Sequence, residues 1–178
     1  MNVEVSLRPV REDDLTFLND LSNDPAASGT YQWNGWHDPH VYRRRWAENG
    51  LLADDRGLLI VSAGADRVGL VSWRKILTPG ESYCWNIGAL LAPETRGRGY
   101  GTRAQRLLAE YLLAHTRVNR VEASTEIGNV AEQRALEKAG FTREGVLRGF
   151  GFRDGAWRDG VLYSLLRADL SETPSDER

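Results

Sequence analysis

The stretch Leu90 to Thr102, LLAPETRGRGYGT, concentrates residue types that bind phosphate. Gly97, Gly99 and Gly101 alternate directly before a helical pattern. Glycines there let the backbone approach a ligand closely and accept positive φ. The first amides of a helix have no intrahelical partner and carry the positive end of its dipole. Arg96 and Arg98 add fixed positive charge with forked donors. The sum describes a pyrophosphate cradle. A glycine-rich turn with solvated arginines is the plainer alternative. A dinucleotide loop of the form G-x-G-x-x-G is another, and Glu122 lies about twenty residues on, where a ribose ligand would sit. That fingerprint needs glycine where Thr102 stands. No Gly-Lys-Ser/Thr occurs, which excludes a Walker loop.

The elements that must position this segment follow from hydrophobic spacing. Val3 to Arg8 alternates as a strand, and Leu15, Leu18 and Leu21 recur at helical spacing behind the acids Glu12, Asp13 and Asp14. Asn23-Asp24-Pro25 stops that helix. A loop holding Tyr31, Trp33, Trp36 and His37 follows, then a short helix from Asp38-Pro39 through Trp46. Gly57 to Ala63 and Val68 to Lys75 read as strands joined at Gly64-Ala65-Asp66, and a third strand runs from Ser82 to Leu91. Ala104, Leu107, Leu108, Tyr111 and Leu112 then mark the clearest helix. Arg120 to Thr125 is a strand with Val121 and Ala123 inward. Asn129 begins a helix that Gly140 ends. Phe141 to Phe152 and Trp157 to Leu166 form a hairpin through Arg153-Asp154-Gly155. The order implies a mixed α/β (α+β) domain built on one sheet.

Composition bounds the rest. The chain has 178 residues, 41% hydrophobic and 27% charged, which fits one domain, taken as 1–170, with a polar disordered tail at 171–178. With 23 Lys+Arg against 25 Asp+Glu, the formal net charge is −2 and general nucleic-acid binding is disfavoured. No apolar run reaches the roughly 18 residues of a membrane span, and the first residues lack a signal-peptide layout. The single Cys84 excludes an internal disulfide, and His37, His40 and His115 are too scattered for a metal site. The cytoplasm is the expected compartment.

Arg96-Gly97-Arg98-Gly99-Tyr100-Gly101 matches the [Q/R]-x-x-G-x-[G/A] motif of GNAT-superfamily N-acetyltransferases. Asn129 to Phe141, NVAEQRALEKAGF, is similar to the family's second signature, with Asn heading a helix and Leu-Glu-Lys-x-Gly-Phe at its end. Glu144-Gly145, Asp159-Gly160-Val161-Leu162-Tyr163, Leu7-Arg8-Pro9 and Glu12-Asp13-Asp14 resemble the RimJ/RimL branch. The resemblance covers about Val5 to Arg167. It implies a mostly antiparallel sheet, splayed at its centre and flanked by helices. It also implies an N-acetyltransferase that moves acetyl from acetyl-CoA to a primary amine, with no metal. The amine belongs to a small molecule or a protein N-terminus. A non-catalytic acyl-CoA-binding module is the alternative. An open sheet edge after the last strand leaves room for a homodimer.

The resemblance also implies roles. Leu90 and Leu91 would hold the pantetheine arm through their main chain, as an added strand does. Amides from Arg96, Gly97, Arg98, Gly99, Tyr100, Gly101 and Thr102 would hold the pyrophosphate. Asn129 would bind the arm or fix the splay, and it reads equally well as a helix N-cap. The chain departs from the branch at both customary acid–base positions. Asn86 replaces Glu before Ile87-Gly88, Glu132 replaces Ser three residues after Asn129, and Leu136 stands where many relatives carry Tyr. Three options remain: Glu126 as base, Glu132 as an acid of raised pKa, or proton relay by water.

Trp33 and Trp36, in the loop that lines the acceptor site of the family, join Tyr83, Trp85 and Asn86 as the expected acceptor pocket, aromatic-walled and suited to a cationic amine. Core packing is the competing reading for each tryptophan. Trp46 and Trp73 are assigned to packing, Arg43-Arg44-Arg45 to a solvated helix face, and Cys84 to a small buried position, with acyl transfer through its thiol as an outside option.

Overall fold

The computed structural model describes residues 4–171. Val3 and the tail from residue 172 onward lie outside them. Strand β1 (Val5–Arg8) leads through a 3-10 turn into α1 (Leu15–Asn23), where Leu15, Leu18 and Leu21 are buried as their spacing requires. Asp24 ends α1 and also starts α2 (Pro25–Ser28): its Oδ1 accepts from the Ala26 amide at 2.8 Å, and Pro25 occupies the first turn. The stop was legible in the sequence; the restart was not. A proline that ends one helix is also suited to open the next. Helix α3 (Val41–Asn49) begins later than Asp38-Pro39 suggests, because the Asp38 side chain holds the His40 amide in a turn at 2.8 Å.

A short strand β2 (Leu52–Ala53) pairs with β3 (Arg56–Ala63). β4 (Asp66–Thr78) and β5 (Ser82–Leu91) continue the antiparallel sheet. Helix α4 (Tyr100–His115) then crosses over to β6 (Arg120–Glu126), which pairs parallel with β5. A parallel pair needs such a crossover. Helix α5 (Val130–Lys138), the hairpin β7 (Thr142–Arg153) and β8 (Ala156–Leu166), and α6 (Arg167–Ser171) complete the fold. Asp154 and Gly155 sit at φ 48° and 73°, as the tight turn between twisted strands demands. The strand order is β1-β3-β4-β5-β6-β8-β7, with β2 at the side of β3. The other neighbouring pairs are antiparallel.

The sheet opens at its centre. β5 and β6 share three register pairs, Trp85–Val121, Asn86–Glu122 and Ile87–Ala123. Beyond Gly88, β5 stays with β4 while β6 follows β8. Two apolar layers hold these halves in place. Trp73, Trp85, Ile87, Leu108, Leu112, Val121 and Tyr163 form the larger core. Leu18, Leu21, Leu51, Ile60 and Leu70 form the smaller one, beneath α1. No helix of the described residues is long and apolar enough to cross a membrane.

Candidate active site

A cavity of about 480 Å³ begins in the splay and runs to the glycine loop. Leu90, Leu91, Gly97, Gly99, Gly101 and Thr102 form one side, and Asn129 and Glu132 stand opposite on the start of α5. Gly97 and Gly99 have φ of 75° and 80°, a region costly for side chains with a Cβ. Gly99 is the N-cap of α4 and offers no side-chain hydrogen bond. The first amides of a 16-residue helix are therefore left for an anion. A Cβ at Gly97 or Gly99 would meet nothing within 4 Å, so the space over the loop is open.

The upper part of β5 presents its main chain to the splay. The carbonyl of Ala89 lies 3.5 Å from the Gln32 amide nitrogen, and that of Leu91 accepts from Arg96 Nε at 3.0 Å. Ala92, by contrast, donates toward β4, to the Val68 carbonyl at 2.9 Å. Since successive residues alternate in an antiparallel pair, Ala89 and Leu91 face the opening with their main-chain groups, while Leu90 turns its own to β4. Leu90 thus borders the cavity without offering the main-chain contacts expected of it, and Ala89 takes that place.

The arginines of the loop differ from expectation. Arg96 borders the cavity, but its guanidinium is spent on the protein: besides the Leu91 carbonyl it binds the carbonyls of Ala27 and Ser28 at the end of α2. Arg98 is exposed and does not line the cavity, and Tyr100 packs against the core. Positive charge on the cavity wall comes instead from Arg134 and Lys138, one helical turn apart on α5. Their i,i+4 spacing was the signal in the sequence that could have marked them.

Asn129 uses both ends of its amide. Its Oδ1 accepts from the Glu132 amide at 3.4 Å and its Nδ2 donates to Thr125 Oγ1 at 3.0 Å, so it caps α5 and ties that cap to β6. Glu132 is half-buried on the cavity wall. Burial pushes its carboxyl up to about 7, partly opposed by the amide of Gln105 on α4. Gln105 is fully buried, its Nε2 donating to the Gly101 carbonyl at 3.3 Å. Glu126 is the opposite case. Arg153 grips it, with one contact of 2.9 Å, and holds its carboxyl below the usual range. A carboxylate so committed is a weak proton acceptor.

A second cavity, of about 170 Å³, lies across the opening and is bordered by Glu126, Phe150, Arg158 and Asp159. Tyr31 and Gln32 border both cavities. The expected aromatic wall does not form there. Trp85 lies in the core on the α4 side, its Nε1 donating to Thr116 Oγ1 at 3.1 Å, and Tyr83 stacks edge-on to it beneath Lys75. Strand alternation sends both to that face, while Asn86 turns to the other and approaches Glu122. Trp33 and Trp36 pack against each other on the surface, with Trp36 81% exposed. Cys84 is buried and its thiol is pushed up by desolvation, which suits packing and not nucleophilic attack.

Residues 4–142 match the family model described as an acetyltransferase (GNAT) domain. The chain belongs to the GNAT acetyltransferase family. Members of this family are N-acetyltransferases that take acetyl-CoA as co-substrate. A probable N-acetyltransferase, YjcK, of Bacillus subtilis (strain 168) is 34% identical over 62% of this chain, and the chain spans 61% of that relative's length. A putative ribosomal N-acetyltransferase, YdaF, of the same organism is 30% identical over 84% of this chain and 76% of its own. Among solved structures, spermidine N-acetyltransferase from Vibrio cholerae in complex with CoA and spermine shares the fold. Its TM-score is 0.79 at 18% identity, covering 93% of this chain and 96% of that one.

Proposed function

We propose that this GNAT domain transfers the acetyl group of acetyl-CoA to a primary amine, with the two cavities as the donor and acceptor halves of one site. The observation that carries this reading is their shared border at Tyr31 and Gln32, beside the parted strands. The donor's pyrophosphate rests on the uncapped amides at the start of α4, and its pantetheine arm runs along Ala89 and Leu91. Arg134 and Lys138 supply charge for its remaining phosphate. Nothing in this arrangement requires a metal.

The amine nitrogen, entering from the smaller cavity, attacks the thioester carbonyl carbon. The C–N bond forms, and negative charge collects on the carbonyl oxygen beside the main-chain donors of β5. Collapse breaks the C–S bond. The amine's proton leaves through water. Glu132, whose carboxyl burial pushes up to about 7, donates its proton to the departing thiolate and is recharged from solvent. Much of the rate comes from holding two reactants in register. The open edge of β7 keeps a homodimer within this reading, which light scattering tests. The cytoplasm remains the compartment we infer.

The direct experiment is titration calorimetry with CoA, followed by thiol release from acetyl-CoA over a panel of amines. Saturable CoA binding with amine-dependent release is the expected result. Binding without release on any amine would favour an acyl-CoA-binding module, and no heat at millimolar CoA would remove the reading altogether.

A further inference from the structure

The smaller cavity carries charge of both signs on its border. Three charged residues border it: Glu126, Arg158 and Asp159. Glu126 is paired with Arg153, which also holds Asp154. One oxygen of Asp159 accepts from the Gly149 amide at 2.7 Å, and the carboxylate forms no ion pair among the described residues. Arg158 is exposed and forms no ion pair among the described residues. Arg158 and Asp159, consecutive on β8 where its pairing with β7 is irregular and strict alternation does not hold, both border the smaller cavity.

A polycation would meet Arg158 with like charge and would find one of the two carboxylates already taken. A neutral amine would leave Arg158 idle. An amine that also carries an anionic group matches both charges. The cavity is the smaller of the two, about 170 Å³ against about 480 Å³.

Resting on the acyl-transfer reading, we propose that the acceptor is a small zwitterionic amine whose anionic group, carboxylate or phosphate, is bound by Arg158 while its amine reaches past Tyr31 and Gln32 to the thioester. Asp159 attracts the amine end on its way in. Glu126 is held ionised chiefly by Arg153, with a lesser contribution from the charge of Arg158. A guanidinium offers a fork suited to either anion.

The test uses the full chain, acetyl-CoA, and four amines at matched pH: spermidine, ethanolamine, glutamate and 2-aminoethyl phosphate. The last two should show kcat/KM at least about ten-fold above the first two, the effect of roughly one charge-assisted hydrogen bond. The better of the pair identifies carboxylate or phosphate as the natural group. Arg158→Gln should raise KM for that amine about ten-fold with CoA affinity unchanged, and Arg158→Lys should recover part of the loss. Spermidine turned over as well as or better than the zwitterions, or an unchanged KM in Arg158→Gln, would overturn the zwitterion assignment and leave acetyl transfer standing. CoA binding with no thiol released from any of the four, or from a wider amine panel, would overturn acetyl transfer and this inference with it.

Discussion

The Tyr31 hydroxyl donates to the Gly128 carbonyl at 2.8 Å, joining the loop after α2 to the turn between β6 and α5 across 97 positions of sequence. The guanidinium of Arg153 lies over the same ring, 5.6 Å from its centre. Tyr31 is therefore fastened at its edge and on its face, where the two cavities meet. Tyr31→Phe keeps the ring and removes the tether. One neutral hydrogen bond is worth about 1 kcal/mol, so KM for the amine should rise about five-fold. CoA affinity, read by calorimetry, should stay within two-fold of the parent value.

Glu132 and Glu126 separate by their pH behaviour. A general acid of pKa about 7 is competent when protonated, so kcat should fall as pH rises through about 7. Glu132→Gln should lower kcat by about a hundred-fold and flatten that limb of the profile. Stability moves in a linked direction. The folded protein holds the Glu132 proton more tightly than the unfolded chain, so this group's contribution is fully present below the unfolded pKa and is lost as pH rises toward about 7. The Gln variant should consequently melt at a higher temperature relative to the parent at pH 8 than at pH 5.

Glu126→Gln tests the rival assignment. Its lowered pKa keeps it ionised across the working range, bound to Arg153. The variant should lose less than about ten-fold in kcat and retain the pH limb near 7, in contrast to Glu132→Gln. A loss equal to that of Glu132→Gln would make Glu126 the base. For stability the sign is reversed relative to Glu132: the Glu126–Arg153 pair contributes above the unfolded pKa and is lost as pH falls through the depressed folded value.

The elements around the larger cavity were legible in the sequence because their signals are local. Glycine alternation before a helix, an Asn at a helix start and a period-2 strand are each fixed by a few neighbouring residues, and Ser82–Leu91 is found as read. The acceptor half was legible only in part. Which aromatic faces the opening depends on strand parity and on where β5 leaves β6, and neither is written in the residue types of Trp33, Trp36 or Trp85. Arg96 shows the same limit. Its charge suggested a phosphate ligand, yet the uncapped carbonyls at the end of a four-residue helix, invisible without the restart at Pro25, claim its guanidinium. Asp159 opens a motif that the resemblance uses, and Arg158 stands just before it, so neither residue type marks a cavity wall by itself.

Arg96 also supports a prediction of its own. Its fork ties the Leu91 carbonyl, at the end of the splayed strand, to the end of α2, from which the loop carrying Tyr31 and Gln32 departs. Arg96→Lys keeps the charge and loses the fork. If Arg96 were mainly a phosphate ligand, losing the fork would weaken CoA binding and leave the amine's KM untouched. If it is a strut, the acceptor border loosens while the helix amides still hold the anion. KM for the amine should then rise about five- to ten-fold, CoA affinity should change less than three-fold, and thermal stability should drop by about 1 kcal/mol, the typical net value of a lost hydrogen bond. Steady-state kinetics in both substrates, with calorimetry on CoA and a melting curve, reads all three. A selective loss of CoA affinity with the amine's KM unchanged would return Arg96 to the phosphate.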